Sequence, residues 1–549
     1  MSKTKSTLIK VVLSCIVLFL GYWFMLPPLN LRSVEMYGFI IFAIIAVTAI
    51  CGFTGIFASV KVVKKEAEKN NIKFNLKGFK NLKISTKIAV SALLLVVVLL
   101  VVGNIIGAQI FNASRYNRLI VMEEGDFVSD VSEIGKEQIP VVDRDTASRL
   151  GQRKLGEMAD LVSQFEIEEL YTQINYNGKP VRVTPLRYGD AIKWLGNQKE
   201  GVPAYITVDM TTQETALVRL NEGIKYSDSE YFMRNLKRKL RFSYPTKIFD
   251  NISFEIDDNG TPYWVASTVE YKIGIFSGKD IGGAVLLNAQ TGESQYYDIN
   301  DIPTWVDQVY SADMILTQLI YNGKYRSGWL NSLFGQKGVL QPTDGYNYLA
   351  INDDVWLYTG ITSVTSDESN VGFVLINLRT KETRYYPVPG AEEYSAMGSA
   401  EGQVQHLSYK STFPLLLNVA DRPSYFMSLK DSAGLVKMYA FVDVQQYQIV
   451  GTGSTVEESR QDYLKKLKKE DSASQITETV KISATVSRIN SAVVEGNTCY
   501  YVLLEGDERV FTVPVTLSDR LPFLAVGDTL TLSYSEDEGG VTVSAVEIN

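Results

Sequence analysis

Residues 282–297 read GGAVLLNAQTGESQYY. An apolar run ends at Asn288, a turn follows at Thr291-Gly292-Glu293, and the pair Tyr296-Tyr297 comes next. Two other stretches share the grammar: VDMTTQET over Val208–Thr215 and INLRTKET over Ile376–Thr383. The common pattern is apolar, Asp or Asn, two free positions, Thr, one free position, Glu, then Ser or Thr. Such a pattern suits a β-hairpin tip, because a short Asp or Asn side chain can accept hydrogen bonds from the backbone two residues on. Asp209, Asn288 and Asn377 are separated by 79 and 89 residues. A helix-forming run is expected after each tip: around Ser229–Leu240, from Trp305 through Leu319, and from Ala391 to Met397.

A second echo lies upstream of the tips. Phe254–Val265 and Leu415–Phe426 both read strand, turn, proline, aromatic, strand, and Ala350–Leu357 is a shorter relative. The copy at Leu415 continues through Met438–Asp443 into a worn fourth tip that lacks the Thr and Glu. Its following helix opens with a capping box, Thr455 with Glu458. An earlier hairpin turns at Asn177-Gly178, a pair that tolerates the positive φ values of a type I′ turn. Tyr321-Asn322-Gly323-Lys324 uses the same words and is read as a helix end. Each unit is therefore expected to be a helix covering one face of an antiparallel sheet. Neighbouring units should pack together, since one alone makes a small core.

The tips at Asp209, Asn288 and Asn377 resemble those of PepSY-type domains, whose hairpins carry an apolar-Asp-x-x-Thr-Gly-Glu/Lys run. The resemblance implies a non-catalytic extracytoplasmic module, in some relatives a protease-inhibiting or regulatory one. The chain as a whole looks like membrane-anchored envelope proteins of Gram-positive bacteria.

Charge divides the chain. Residues 1–112 hold 13 Lys and Arg against 3 Glu, and the remainder holds 41 basic against 59 acidic groups. Three apolar stretches in the basic part are read as transmembrane helices, at about 8–26, 37–60 and 88–110. Lys-rich loop 61–87 should stay in the cytoplasm, while the loop before it carries Arg32 alone with Glu35. That orientation puts the N-terminus inside and everything after residue 112 outside. The first span has no small-residue cleavage site after it and is read as uncleaved. The spans carry no Asp, Glu, Arg or His, which argues against an ion or proton path. Cys15 and Cys51 lie in apolar runs, and Cys499 stands in a strand context as a small buried hydrophobe, so the soluble part has no internal disulfide.

The expected organisation is a three-span anchor (1–112), a juxtamembrane helical region and hairpin (113–200), α+β repeats (201–470), a polar linker at Asp471–Ser474, and a small OB-like β-barrel (476–549). In 113–200 Asp145 is the expected N-cap of a helix, within a charged cluster that includes Asp143, Arg144, Arg149 and Arg153 and is read as a solvated face. The barrel follows from five short strand-like runs. Its four basic residues face eleven carboxylates, which leaves no electrostatic basis for nucleic-acid binding.

No motif supplies chemistry. His406 is the single histidine, with no nucleophile motif beside it, and is read as structural. Asp257-Asp258-Asn259-Gly260 lacks the alternating acids and terminal Glu of a calcium loop and is read as a turn. Most of Trp264, Trp305, Trp329 and Trp356 should be core or sheet-face residues. No catalytic, cofactor-binding or metal-ligating residue is therefore named, and no cofactor is expected. The reading is a non-enzyme: a membrane-anchored extracytoplasmic scaffold or regulator that binds lipid through its spans and an envelope protein through its repeats. A carboxylate-dependent envelope hydrolase or glycan-binding protein, and a small-ligand or lipid carrier, are the alternatives.

Overall fold

The computed structural model describes residues 3–50, 84–133, 135, 139–364, 369–474, 480–494, 497–537 and 540–548. Apolar helices α1 (Lys3–Met25), α2 (Val34–Ile50) and α3 (Ile84–Gly107) come first. Only Thr7–Met25 and Thr86–Gly107 are long and apolar enough to cross a membrane among the described residues. Just 6% and 17% of these windows are buried, so the protein does not cover them as it would a core helix. Among the described residues the expected count of three is corrected to two. The 17 described residues of α2 make ~25 Å of helix, against a hydrocarbon core of ~30 Å. Residues 51–60 of its expected span, and 61–83 of the lysine loop, lie outside the described residues.

The chain forms two compact bodies, residues 1–463 and 464–549. Within the first, four modules repeat one plan. Each has a helix followed by an antiparallel sheet made of two hairpins in succession. The helices are Arg144–Gly156, Leu236–Ser243, Ala312–Lys324 and Glu393–Gln403. In the first module the strands Thr172–Tyr176, Lys179–Tyr188, Val202–Asp209 and Thr215–Ile224 pair in that order. The hairpin at Asn177-Gly178 thus belongs to the first module rather than preceding the repeats. In the second the order is Phe249–Ile256, Pro262–Ile273, Ser277–Asn288 and Ser294–Asp298.

The first turn of each sheet and the second tip explain the sequence echoes. Turn residues Asn177 (φ 53), Gly178 (φ 75), Asn352 (φ 51), Asp353 (φ 71), Ala420 (φ 52) and Asp421 (φ 59) lie in the left-handed region, which matches the twist of two-residue hairpins. At the tips the Asp or Asn side chain accepts two backbone hydrogen bonds each time. Asp209 takes them from Thr211 and Thr212 at 2.8 and 3.0 Å. Asn288 takes them from Gln290 and Thr291, both at 2.9 Å. Asn377 takes them from Arg379 and Thr380 at 2.8 and 2.9 Å. The Thr hydroxyl then accepts from the Glu amide, as Thr291 does from Glu293 at 3.2 Å. The residue between them turns left-handed: Gln213 (φ 65), Gly292 (φ 76) and Lys381 (φ 65). The worn tip keeps the first half of this, with Asp443 accepting from Gln445 and Gln446 at 3.0 and 2.7 Å.

Several local expectations are corrected. Asp143, not Asp145, caps the first helix, accepting from the Thr146 amide at 2.9 Å. Its carboxylate also takes Lys430 Nζ at 2.6 Å, which joins the first module to the fourth, so the cluster is not only a solvated face. The third helix starts after Ser311 rather than at Trp305. Helix Val456–Ser474 includes Asp471–Ser474, where composition suggested a linker. Cys499 is half-buried rather than buried.

An apolar cluster lies between the second and third sheets, with helix Ala312–Lys324 packed into it. Val265, Ala284 and Leu286 face Leu357, Val374 and Ile376 across Val306, Ile315 and Leu319. Each such side chain contributes ~1.5–3 kcal/mol when removed from water. In the second body the strands Val480–Val494, Asn497–Leu504, Phe511–Pro514, Gly540–Ile548 and Thr529–Asp537 form a closed ring in that order. The link between the third and fourth is one parallel pair, Thr512 with Thr542. Val502, Phe511, Leu530 and Leu532 fill its interior.

Candidate functional site

Strand Thr215–Ile224 is the last strand of the first sheet, and its outer edge pairs with no strand among the described residues. By the alternation of an antiparallel ladder, half of its backbone groups point away from Val202–Asp209. Helix Arg144–Gly156 packs against these two strands on one face. On the other side lies an open cleft of about 680 Å³.

The cleft's floor is Val181, Thr207, Ala216 and Val218, and its far wall is the second module's turn around Gly260 and Pro262. Tyr205 spans the two, its buried hydroxyl donating to the Gly260 carbonyl at 3.0 Å. Burial, with Tyr176 and Asp257 nearby, pushes its phenol up to about 12, so it stays a neutral donor. Gly260 has φ 78, and a side chain there would press on that hydroxyl. Lys179, Asp209, Glu214 and Arg219 give the rim charge of both signs. Asp209 is partly buried, which raises its carboxyl, but the hydrogen bonds from Thr212 and Thr211 outweigh that and hold it below the usual range.

A hydrolase working with paired carboxylates needs one raised above its ordinary value and facing substrate. Asp209 is shifted the other way. Four other acids, which the sequence reading missed, are raised by burial: Glu230, Glu255, Asp307 and Glu393. All four are buried, and Glu255 and Asp307 lie together. Glu255 is 0% exposed and Asp307 1%. Glu255 accepts from the Asp307 amide at 2.8 Å, the Gln308 amide at 3.2 Å and the Ser253 hydroxyl at 2.8 Å. Asp307 accepts from the Asn175 amide at 2.7 Å and the Val355 amide at 3.2 Å. One polar knot therefore ties together the first three sheets. Burial pushes Glu255 up to about 7. Burial and then the charge of Glu255 drive Asp307 well above the carboxylate range. The signal in the sequence was, for Glu255, a lone acid between apolar neighbours, Phe254-Glu255-Ile256; Asp307, before Gln308, carried no such signal.

The residues singled out from sequence lie apart. His406 is exposed on the turn Gln405–Leu407. Asp257 accepts from the Asn259 and Thr261 amides at 2.9 and 2.8 Å, which makes its stretch a hairpin turn at the cleft wall. Trp264 is buried and donates to the Tyr226 carbonyl at 2.7 Å. No group of three or more His, Cys, Asp or Glu among the described residues is arranged to hold a metal ion.

No protein-family model matches the chain, and no curated protein matches it. Among solved structures, the crystal structure of an exo-1,5-alpha-L-arabinanase from a bovine ruminal metagenomic library matches at 9% identity, over 69% of this chain and 99% of that one, with a TM-score of 0.15. The expectation of a non-enzyme is withdrawn against this match to an enzyme. A likeness of this size carries no argument about fold or reaction.

Proposed function

We propose that the chain is a membrane-anchored scaffold or regulator whose folded part stands on the extracytoplasmic face and holds an envelope protein there. An extended segment of that partner lies along Thr215–Ile224 as an added strand, with its side chains in the adjoining cleft. The observation that carries this reading is the ten-residue edge strand, whose outer side pairs with no strand among the described residues, beside an open cleft of about 680 Å³. The lysine-rich loop supports the orientation. The C-terminal end of α1, the N-terminal end of α2 and the C-terminal end of α3 all meet the folded part: Tyr22 touches Phe242, Tyr37 touches Phe276, and Gly103 abuts Phe276. The repeated tips support a PepSY-like module, and the five-stranded second body an OB-like one.

A photo-crosslinking side chain at Leu220 in whole cells tests the reading. It should capture one defined envelope protein that the same group at exposed Leu435, on a turn of the fourth sheet, does not. Equal adducts from both positions, or none, refute the strand-addition mode. A C-terminal reporter active only in the cytosol refutes the orientation.

A further inference from the structure

Residues 231–247 read YFMRNLKRKLRFSYPTK, with six cations and no acid. The rest of the chain after residue 112 is strongly acidic, so this concentration needs a reason. Asn235 caps the helix Leu236–Ser243, and Leu236 and Leu240 bury one face. The segment is fixed against the end of α1. Arg241 Nε donates to the Leu26 carbonyl at 2.9 Å. The Arg238 guanidinium lies 4.4 Å from the centre of the Trp23 ring. Phe242 meets Tyr22 and Trp23 at 5.5 and 5.7 Å between ring centres. Beyond it the Leu29 amide donates to the Pro245 carbonyl at 2.7 Å. Tyr22 and Trp23 stand near the C-terminal end of apolar α1, where aromatic residues favour the depth of lipid headgroups, and these contacts hold the segment beside them.

The same segment exposes apolar side chains. Phe232 is 66% exposed and Met233 46%. Arg238 Nη1 donates to the Phe232 carbonyl at 2.6 Å, so Phe232 stands beside the cation that rests on Trp23. Among the described residues only Lys237 of the six cations makes an ion pair within 4 Å, a 3.5 Å contact with exposed Asp228. Exposed aromatic and thioether side chains beside cations form the signature of an interfacial element.

We propose that residues 231–247 are a lipid-contact foot. Phe232 and Met233 enter the boundary between headgroups and acyl chains. Lys237, Arg238 and Lys239 bind the phosphates of anionic phospholipids. The foot depends on membrane anchoring and is independent of any strand partner. Cations near an anionic surface favour seating by about fivefold each, so three together shift the seated-to-unseated ratio by about a hundredfold.

The test uses the full chain with Cys15, Cys51 and Cys499 changed to Ser, reconstituted in nanodiscs. A polarity-sensitive fluorophore is attached at Met233→Cys, or at Leu435→Cys as a water-exposed reference. In phosphatidylglycerol discs the probe at 233 should be shielded from iodide and quenched by a lipid-borne nitroxide, while the probe at 435 is open to iodide. In phosphatidylcholine discs, and in the combined Lys237→Gln, Arg238→Gln, Lys239→Gln variant, the probe at 233 should return towards water. Equal iodide access at 233 and 435 in phosphatidylglycerol overturns the foot. Equal shielding in both lipids overturns its choice of anionic headgroups, and that comparison needs no charge variant to fold. Either failure leaves the result at Leu220 untouched.

Discussion

Glu255 and Asp307 make the fold pH-sensitive at one place. The ordinary 4.5 of a glutamate rises to about 7 for Glu255 through burial. A raised folded value means that the folded state holds the proton more tightly than the open state. The stabilisation is therefore complete below about pH 4.5 and is lost as pH rises through about 7. The difference amounts to about 3 kcal/mol, a little over two powers of ten in an opening equilibrium. Asp307 shifts in the same direction and widens the window. The amides of Asn175 and Val355, which Asp307 holds, report it locally. After correction for base-catalysed chemistry, their hydrogen-exchange protection should fall about a hundredfold between pH 5 and 7.5. Glu255→Gln should flatten that slope. It should also lower protection at pH 5, because its amide would face the Asp307 or Gln308 N–H, a mismatch costing about 1–3 kcal/mol. Protection that is level with pH in the unaltered chain, or a slope unchanged by Glu255→Gln, refutes the reasoning.

Gly292→Ala should cost at least ~1–2 kcal/mol in chemical denaturation, since φ is 76 there and a Cβ overlaps the Tyr226 ring. Gln213→Gly, at the matching position of the first tip, should be neutral or stabilising by up to ~1 kcal/mol. Asp143→Ala removes a helix cap and strands half-buried Lys430, costing ~2–4 kcal/mol. Burial raises Asp143, but Lys430 and Thr146 hold it below its usual range, so the lost stability should be present at pH 7 and shrink as pH falls below about 4. Tyr205→Phe should cost ~1 kcal/mol and raise exchange in the turn 257–261. Gly103→Leu should displace the Phe276 ring, which a Cβ already overlaps, and raise exchange over 273–277. Phe276→Ala should make Gly103→Leu nearly silent, and additive effects would refute the contact.

The tips were legible because their cause is local. An Asp or Asn that accepts two amides, a Thr that accepts a third and a left-handed residue between Thr and Glu leave a pattern within eight residues. The same locality let the Asn177-Gly178 turn be read. Three weaker relatives were legible by their flanking strands: Asn352-Asp353 and Ala420-Asp421 turn left-handed without glycine, and the worn tip keeps only Asp443. The N-cap slipped by two residues because Asp143 and Asp145 both suit the position. Lys430 is 287 residues away from Asp143 in the chain, and its ion pair with Asp143 leaves no local trace. Glu255 and Asp307 were illegible for the same reason. Their partners come from distant segments, a single acid on a strand such as Glu255 usually means an outward side chain, and Asp307 lies outside any helix or strand.

Besides the contacts of helix Leu236–Ser243 with the end of α1, two consecutive modules meet the other apolar helices. The second module sends its longest hairpin, strands Pro262–Ile273 and Ser277–Asn288, down to a turn. There Phe276 packs on Tyr37 with ring centres 5.5 Å apart, and glycine is required at 103 and 107 for the turn to come close. The third module is held through α4 (Gln109–Asn117), where Tyr116 lies 4.8 Å from the Tyr321 ring and Asn117 Nδ2 donates to the Asn322 carbonyl at 2.6 Å. The Glu255–Asp307 knot joins these same two modules to the first, whose outer strand carries the cleft. Strand Thr215–Ile224 is thus connected to the second and third modules through hydrogen-bonded sheet and the buried carboxylates of Glu255 and Asp307. Loosening the knot by raising pH should therefore be felt at the cleft wall, through Asn175 and the Tyr205–Gly260 bond, before it is felt at Phe276.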